Sequence, residues 1–438
     1  MGGQRDYFFC GVGGSGMTPL ALIVQARGGR VEGSDRALDQ GRNAARFDFL
    51  RACGVRLYPQ DGSGVKRADQ ILVTSAAVED TVPDVQAARR IGAAVTTRAK
   101  LLAELFNPSV CGIGVAGTSG KSTTTGMIGW ILHRAGRNPT IVNGAEMKNF
   151  TSADSTFAAA RIGDGAEFVC EIDESDGSIA NFSPRIAVVN NISLDHKPIQ
   201  ELRILFRDFA NKGRTAVLNL DNAETAALLP DLKPGQATTW SLCDPKADLL
   251  AGSPVCSRST IAFPVKTRTT GQVVDVKLNV PGMHNVANAL AALTAASASG
   301  VNLEDAAKHL ETFAGIRRRL EVVGTANEIT VIDDFAHNPE KVSATLETVH
   351  AFPGRLLLMP EPVYFGGTVD RSIGSSDIVK EIVRRGRNAL ALPDRNACGE
   401  KLVQLARSGD RIVVMGARDD SLSQFAQDVL ARLQQAGT

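Results

Sequence analysis

The chain of 438 residues has no stretch of apolar residues long enough to span a bilayer. It also has no excess of charge, since 48 Lys and Arg against 47 Asp and Glu leave a net charge of +1. That balance gives no electrostatic reason to expect nucleic acid or an anionic membrane as a partner. It has no C-x-x-C pair, and the cysteine count is odd at seven. Cys10, Cys53, Cys111, Cys170, Cys243, Cys256 and Cys398 therefore read as small core residues, not as a disulfide frame or zinc site. Met1-Gly2-Gly3-Gln4-Arg5-Asp6 has no apolar signal core and enters a strand-like run at once, so the expected compartment is the cytoplasm. What is present is ordinary for a globular protein, 43% hydrophobic and 22% charged residues. The length suits about three domains.

The most informative stretch is Val115-Ala116-Gly117-Thr118-Ser119-Gly120-Lys121-Ser122-Thr123-Thr124-Thr125. The apolar run Val110 to Val115 reads as a buried strand, and Met127, Ile128, Trp130, Ile131 and Leu132 recur at helical spacing. A strand, a glycine turn carrying Lys-Ser, and a helix together can hold a phosphate chain. The glycines let backbone N–H groups converge on anionic oxygens, and the positive end of the helix adds to the field. Lys121 can reach the outer phosphates, and the Ser122 hydroxyl can ligate magnesium. The long form of this loop places a glycine where Val115 stands, so the match is to the shorter form G-T-x-G-K-S/T.

Upstream, Tyr7-Phe8-Phe9-Cys10 reads as a first strand. It runs into Gly11-Val12-Gly13-Gly14-Ser15-Gly16-Met17, which contains G-x-G-x-x-G, and then a helix-like stretch. A second strand, Arg30 to Ser34, ends at Asp35, 19 positions after Gly16. The arrangement is dinucleotide-like, and suits NAD, another nucleotide diphosphate or a plain tight turn. The α/β rhythm continues through helices at Arg46–Cys53, Val82–Ile91 and Leu101–Phe106. The strand Gln70–Thr74 leaves Ser75 at its C-terminal edge, where ligands sit in open α/β sheets.

Downstream, Phe168 to Asp176 starts as a strand and ends in the carboxylates of Glu171, Asp173, Glu174 and Asp176. Magnesium or solvation must relieve their repulsion, and the phosphate loop favours magnesium at Glu171. Another buried strand, Ile186 to Asn191, delivers Asp195 and His196 to the same sheet edge, which raises His196 from a structural residue to a site candidate. Residues 234–281 alternate in short β-like runs and suggest an antiparallel excursion. His284, Asn285 and Asn288 precede a helix at Ala289–Ala298, where they suit either a base or ribose, or helix capping. A last α/β unit has strands at Ile329–Asp334, Arg355–Met359, Asn388–Leu392 and Arg411–Met415. It contains the basic cluster Arg317-Arg318-Arg319, which by itself reads as a solvated face, and a turn from Asp333 to Pro339.

Taken in order, G-V-G-G-S-G-M at 11–17, G-S-D at 33–35, G-T-S-G-K-S-T-T-T at 117–125 and E-I-D-E-S-D at 171–176 resemble the motifs of the Mur ligases. So do N-N-I-S-L-D-H at 190–196, G-M-H-N-V-A-N at 282–288 and D-D-F-A-H-N-P at 333–339. The resemblance covers nearly the whole chain and is strongest to the alanine-adding branch. It implies three α/β domains: a Rossmann-like UDP-sugar domain (1–106), a central phosphate-loop ATPase-like domain with a mixed or parallel sheet (107–314), and a C-terminal Rossmann-like domain for the amino acid or peptide (315–438). It implies ATP and Mg2+ as cofactors, and UDP-N-acetylmuramate and an amino acid or peptide as substrates. The expected chemistry joins L-alanine to the sugar nucleotide through an acyl phosphate, as a step in peptidoglycan synthesis.

By the same resemblance Gly11, Gly13, Gly14, Ser15, Gly16, Met17, Ser34, Asp35 and Ser75 hold the UDP-sugar. Gly117, Thr118, Ser119, Gly120, Lys121, Ser122, Thr123, His284, Asn285 and Asn288 contact ATP, and Arg318 and Asp334 are brought over it by the closing third domain. Lys121, Glu171 and His196 are the catalytic set, with Ser122, Glu171 and His196 as metal ligands. The chain departs from the alanine-adding branch at Ser119, where that branch has His, and at Ser122, where it has Thr. It also lacks the basic loop after the strand at 355–359, reading Met359-Pro360-Glu361-Pro362-Val363-Tyr364-Phe365-Gly366-Gly367-Thr368, and differs at Met415–Ser421. A different amine such as a murein tripeptide, a nucleotide-sugar-binding homologue without ligase activity, and an NAD-dependent dehydrogenase remain the alternatives.

Overall fold

The computed structural model describes residues 5–75, 78–152, 157–194, 197–256, 260–337, 339–349, 356–360, 374–417, 419 and 421–436. The chain separates into two compact units, Met1–Val280 with His284–Ile316, and Pro281–Met283 with Arg317–Thr438.

The first unit holds two sheets. Strands β1 (Asp6–Cys10), β2 (Arg30–Ser34), β3 (Arg56–Tyr58), β4 (Gln70–Thr74) and β5 (Ala94–Thr97) are all parallel, in the order β3-β2-β1-β4-β5. The order reverses between β1 and β4, so their carboxyl ends open a crevice at the switch point. β3 and β5 are too short, at three and four residues, to stand out by periodicity.

The larger sheet contains β6 (Cys111–Ala116), β7 (Thr140–Val142), β8 (Ala160–Arg161), β9 (Glu167–Glu171), β10 (Ile186–Val189), β11 (Thr215–Asn219), β12 (Ala237–Ser241), β13 (Leu249–Ala251), β14 (Val255–Cys256), β15 (Ile261–Thr267) and β16 (Val273–Leu278). β6 lies in its middle, between β10 and β9, and β7 lies beyond β9. These four strands are parallel, with Val115 opposite both Val188 and Glu171. The loops after them therefore emerge side by side. Alternation sets the two cores: Ile113, Val115, Val169 and Val188 face the helix Lys121–Arg134 through Met127, Ile128 and Ile131. Phe168, Cys170, Ala187 and Val189 face the other way, toward Phe206 and Phe209.

The antiparallel excursion is narrower than 234–281. β12 and β13 extend the parallel order, and within this segment the antiparallel pairs are β13 with β15, β14 with β15 and β15 with β16; at the other edge of the sheet β8 pairs antiparallel with β7. The alanine-rich helix begins earlier than its composition suggests, at Met283, which puts His284, Asn285 and Asn288 inside it. Cys243 and Cys256 are exposed, unlike the core cysteines Cys10, Cys170 and Cys398.

In the second unit β17 (Glu321–Ala326), β18 (Ile329–Asp334) and β21 (Arg411–Met415) form one sheet, and β19 (Leu356–Pro360) pairs in parallel with β20 (Asn388–Leu392). The helix Ser421–Ala436 covers β17 and β18 through Ala426, Val429 and Leu433. Among the described residues no helix is long and apolar enough to cross a membrane.

Candidate active site

The turn after β6 is shaped by Gly117 (φ +139°) and Gly120 (φ +81°). Position 120 takes glycine for two reasons: its φ lies in the left-handed region, and a Cβ there would stand 2.3 Å from Asn288 Oδ1. Lys121 opens the helix and folds back over the turn. Its Nζ donates to Gly117 O at 2.7 Å and to Glu174 Oε2 at 2.9 Å. Burial opposes the lysine's charge, but Glu174 and Glu171 outweigh it and hold its pKa above the ordinary lysine value. Burial also pushes the Glu174 carboxyl up, against the pull of Lys121. Both partners thus shift the same way, and the lysine, with several carboxylates around it, remains charged.

Neighbouring strand ends brace the loop. Ser119 N donates to Asn191 Oδ1 at 2.8 Å, and Asn191 Nδ2 donates to Ser119 O at 3.1 Å. Thr118 N donates to Asn191 O, and Ser193 N donates to Thr118 Oγ1 at 3.0 Å. Asn190 Nδ2 donates to Thr124 Oγ1 at 2.8 Å, which reaches Asn288 Oδ1 at 3.3 Å. Asn143 Nδ2 donates to Ser122 O at 2.9 Å. Beside this scaffold, Ser119 Oγ and Asn190 Oδ1 are buried without a hydrogen-bond partner among the described residues. Such atoms suit a polar ligand.

Glu171 ends β9, and its Oε2 accepts from Gly144 N at 2.7 Å. A Cβ at 144 would lie 2.8 Å from both carboxylate oxygens, so Gly144 makes the cradle in which they rest. Burial opposes the Asp173 charge, but the Ser175 N–H, Lys121 and Arg98 hold its carboxyl below the usual range. Glu171 and Asp173 line a cavity of about 370 Å³ with Asn143, Gly144, Ser178 and Phe182. The same cavity is lined by Gly14, Ser15, Gly16, Met17 and Ser75 from the first sheet, and by Arg98.

The first glycine loop is tied down from behind. Gly11 N and Val12 N donate to Ser34 O, and Gly13 N donates to Asp35 Oδ2 at 2.9 Å. Asp35 Oδ1 accepts from Ala37 N at 2.8 Å, capping a short helix. Ser34 Oγ donates to the fully buried Asp84, which also accepts from Gly62 N at 3.0 Å. Burial pushes Asp84 up, and burial with Asp84 nearby pushes the Cys10 thiol up to about 12.

On the helix Met283–Ala298, Asn288 Nδ2 donates to Asn285 Oδ1 at 3.1 Å, and His284 is half-buried one residue ahead. In the second unit Arg318 (φ +58°) donates from Nη2 to Gly416 O at 2.6 Å. Asp334 accepts from Leu320 N at 3.1 Å, Phe335 N at 3.0 Å and Thr345 Oγ1. His196, residues 361–368, Arg418 and Asp420 lie outside the described residues. Among the described residues no group of three or more His, Cys, Asp and Glu is arranged for a metal ion. The oxygen donors Ser122 and Glu171 fit magnesium, which needs few protein ligands when phosphates and water complete its shell.

Sequence reasoning does not single out Arg98, Asn143, Gly144, Glu174, Asn190 and Asn191 as site residues. Each lies at or just beyond the carboxyl end of a parallel strand. The rule that ligands gather there would have found them, once β5 and β7 were recognised.

Two sheets, one parallel and one mixed, whose parallel strands direct their carboxyl ends to one cavity, the first bearing a diphosphate-type turn and the second a glycine–lysine loop, define an α/β protein of nucleotide-binding type. Residues 6–109 match the Mur ligase family catalytic domain, 115–296 the Mur ligase middle domain, and 318–360 the Mur ligase glutamate ligase domain. Similar proteins include a Geotalea daltonii UDP-N-acetylmuramate–L-alanine ligase, 33% identical over 98% of both chains. The enzyme of that name from Acidithiobacillus ferrooxidans is 34% identical over 98% of this chain and 91% of its own. The UDP-N-acetylmuramate-alanine ligase structure from Thermotoga maritima superposes with a TM-score of 0.81 at 22% identity, covering 99% of this chain and 100% of that one. A murein peptide ligase from Psychrobacter arcticus gives 0.71 at 23% identity, covering 98% and 99%. The chain belongs to the Mur ligase family.

Proposed function

We propose that the protein is an ATP-dependent ligase that joins L-alanine to UDP-N-acetylmuramate in the cytoplasm. The observation that carries this reading is the shared cavity, in which the first glycine loop, Arg98, Glu171 and Asp173 face one space, with Lys121 near enough to feel the charge of both acids. We assign residues 1–106 to the sugar nucleotide, 107–314 to ATP and 315–438 to the amine.

A carboxylate oxygen of the sugar nucleotide attacks the γ-phosphorus of ATP, and ADP leaves. The amine nitrogen then attacks the carbonyl carbon of the acyl phosphate and loses a proton, and inorganic phosphate departs from the tetrahedral intermediate. Such chemistry asks the protein to position reactants and neutralise charge. Lys121 supports the β- and γ-phosphates, and the glycine turn with Thr118, Ser119, Ser122 and Thr123 surrounds them. Ser122 and Glu171 would hold magnesium, with His196 for a second ion; magnesium supplies charge neutralisation on the phosphate oxygens. Gly144 fixes the direction of the Glu171 carboxylate. Gly11, Gly13, Gly14, Ser15, Gly16 and Met17 hold the diphosphate with Ser75, while Ser34 and Asp35 support the loop. Arg98 is the one cation lining the cavity among the described residues, and it orients the anionic substrate against the acids. His284, Asn285, Asn288, Arg318 and Asp334 are assigned to ATP by family likeness.

The test is phosphate release by the full chain with ATP, magnesium and UDP-N-acetylmuramate across a panel of amino acids and murein peptides. Release only with both sugar nucleotide and L-alanine supports the reading. A tripeptide as the best acceptor would instead favour the recycling chemistry, which the absence of the basic loop at 359–368 makes the second reading. No turnover with any acceptor would remove both.

A further inference from the structure

We propose that Glu174 is a positioning residue for the nucleotide lysine, a carboxylate inside the protein that holds Lys121 until a ligand with enough phosphate charge displaces it. The proposal deepens the ligase reading and rests on it. Glu174 differs from its neighbour Glu171 in what it touches. Glu171 accepts from Gly144 and faces the shared cavity, whereas Glu174 meets the Lys121 ammonium itself at 2.9 Å. The Glu174 side chain is 4% exposed and that of Lys121 15%, so bulk salt screens the pair weakly.

The turn that carries this carboxylate is also braced. Ser175 N donates to Asp173 Oδ1 at 3.0 Å, Gly177 N to Glu174 O at 3.0 Å, and Ser178 Oγ to Asp173 O at 3.3 Å. This braced turn presents Glu174 to the lysine as a fixed counter-ion. Lys121 therefore arrives at catalysis charged and already bent over the loop, with its approach restricted by Gly117 O. A phosphate that takes the ammonium must outcompete a carboxylate already in contact with it. Inorganic phosphate brings one anionic group and no other anchor. A nucleoside triphosphate brings a divalent cation and the loop's backbone contacts as well, so it passes the threshold that Glu174 sets.

The test compares the wild-type chain with Glu174→Gln and Glu174→Asp, measuring the affinity of a non-hydrolysable ATP analogue with magnesium, of adenosine and of inorganic phosphate. Glu174→Gln keeps the shape and removes the charge. It is expected to tighten the analogue about tenfold and to make inorganic phosphate binding measurable, while adenosine changes less than about twofold. In turnover, KM for ATP falls and kcat does not rise, a split that a merely structural residue would not produce. Glu174→Asp, which draws the carboxylate back by one methylene, gives an intermediate shift and serves if the Gln variant does not fold. Unchanged or weakened analogue binding in the variants, or an equal shift for adenosine, overturns the proposal while leaving the ligase reading intact. No analogue binding by the wild-type chain overturns both.

Discussion

Replacing Gly144 by Ala separates catalytic geometry from stability. Gly144 has no positive φ, so alanine suits its backbone, and the atoms that a Cβ would meet belong to the far end of the Glu171 side chain. The carboxylate oxygens would stand 2.8 Å from the new methyl group and must withdraw by about 0.6 Å to reach ordinary contact. A flexible side chain can make that move, so the fold should lose less than about 1 kcal/mol. A magnesium ligand cannot make it freely, because magnesium demands near-ideal octahedral geometry and sites tolerate about 0.2 Å. Gly144 N–H is the group that orients Glu171, and loss of such orientation typically lowers metal affinity or activity by about 10- to 100-fold. Phosphate release titrated with magnesium should show a half-saturation point raised by that range, with the thermal midpoint nearly unchanged. A magnesium titration within about twofold of wild type, in a folded variant, would refute the assignment of Glu171 as a ligand.

Lys121→Ala should lower kcat by about 10²- to 10³-fold, the scale for losing one electrostatic stabiliser, while the dissociation constant for UDP-N-acetylmuramate measured by calorimetry stays within about twofold. Arg98→Ala should do the reverse, weakening the sugar nucleotide by about 10- to 100-fold, as for loss of a charge-assisted hydrogen bond, with ATP analogue binding preserved. Asp84 tests the support behind the first loop through pH. Its folded pKa is raised by burial, so its contribution to stability is present below the ordinary carboxylate value and is lost as pH rises through the folded value. Urea unfolding of Asp84→Asn should therefore gain on wild type as pH rises from about 4 toward 7, and a constant difference across that range would contradict the shift.

The parts of the site that the sequence made legible were those whose residue types have one dominant physical use. Gly117, Gly120, Lys121 and Ser122 were readable because a glycine turn between a buried strand and a helix has few purposes other than phosphate. Glu171 stood out because four carboxylates in a short run call for a cation or water. Arg98 did not, because an arginine after two threonines has no signature until β5 is known to end there. Glu174 was visible as a charge but not as the partner of Lys121, a contact that depends on how the Asp173–Ser178 turn folds back across 53 positions of sequence. Asn288 suited either a base or ribose contact or a helix cap; it lies within the helix and reaches Thr124, 164 positions away. The fold's parallel strands were readable as apolar runs. Short strands such as β5 and β7 were not, because four and three residues are too few to show a period, even when they are mostly Val, Ile and Thr.

The fate of the substrate's carboxylate oxygen tests the proposed chemistry most directly. UDP-N-acetylmuramate labelled with 18O in its carboxylate, incubated with ATP, magnesium and L-alanine, should yield inorganic phosphate carrying one 18O atom per turnover, because that oxygen leaves with the phosphate when the amine attacks. Phosphate free of label, from a reaction that still forms the amide, would contradict an acyl phosphate.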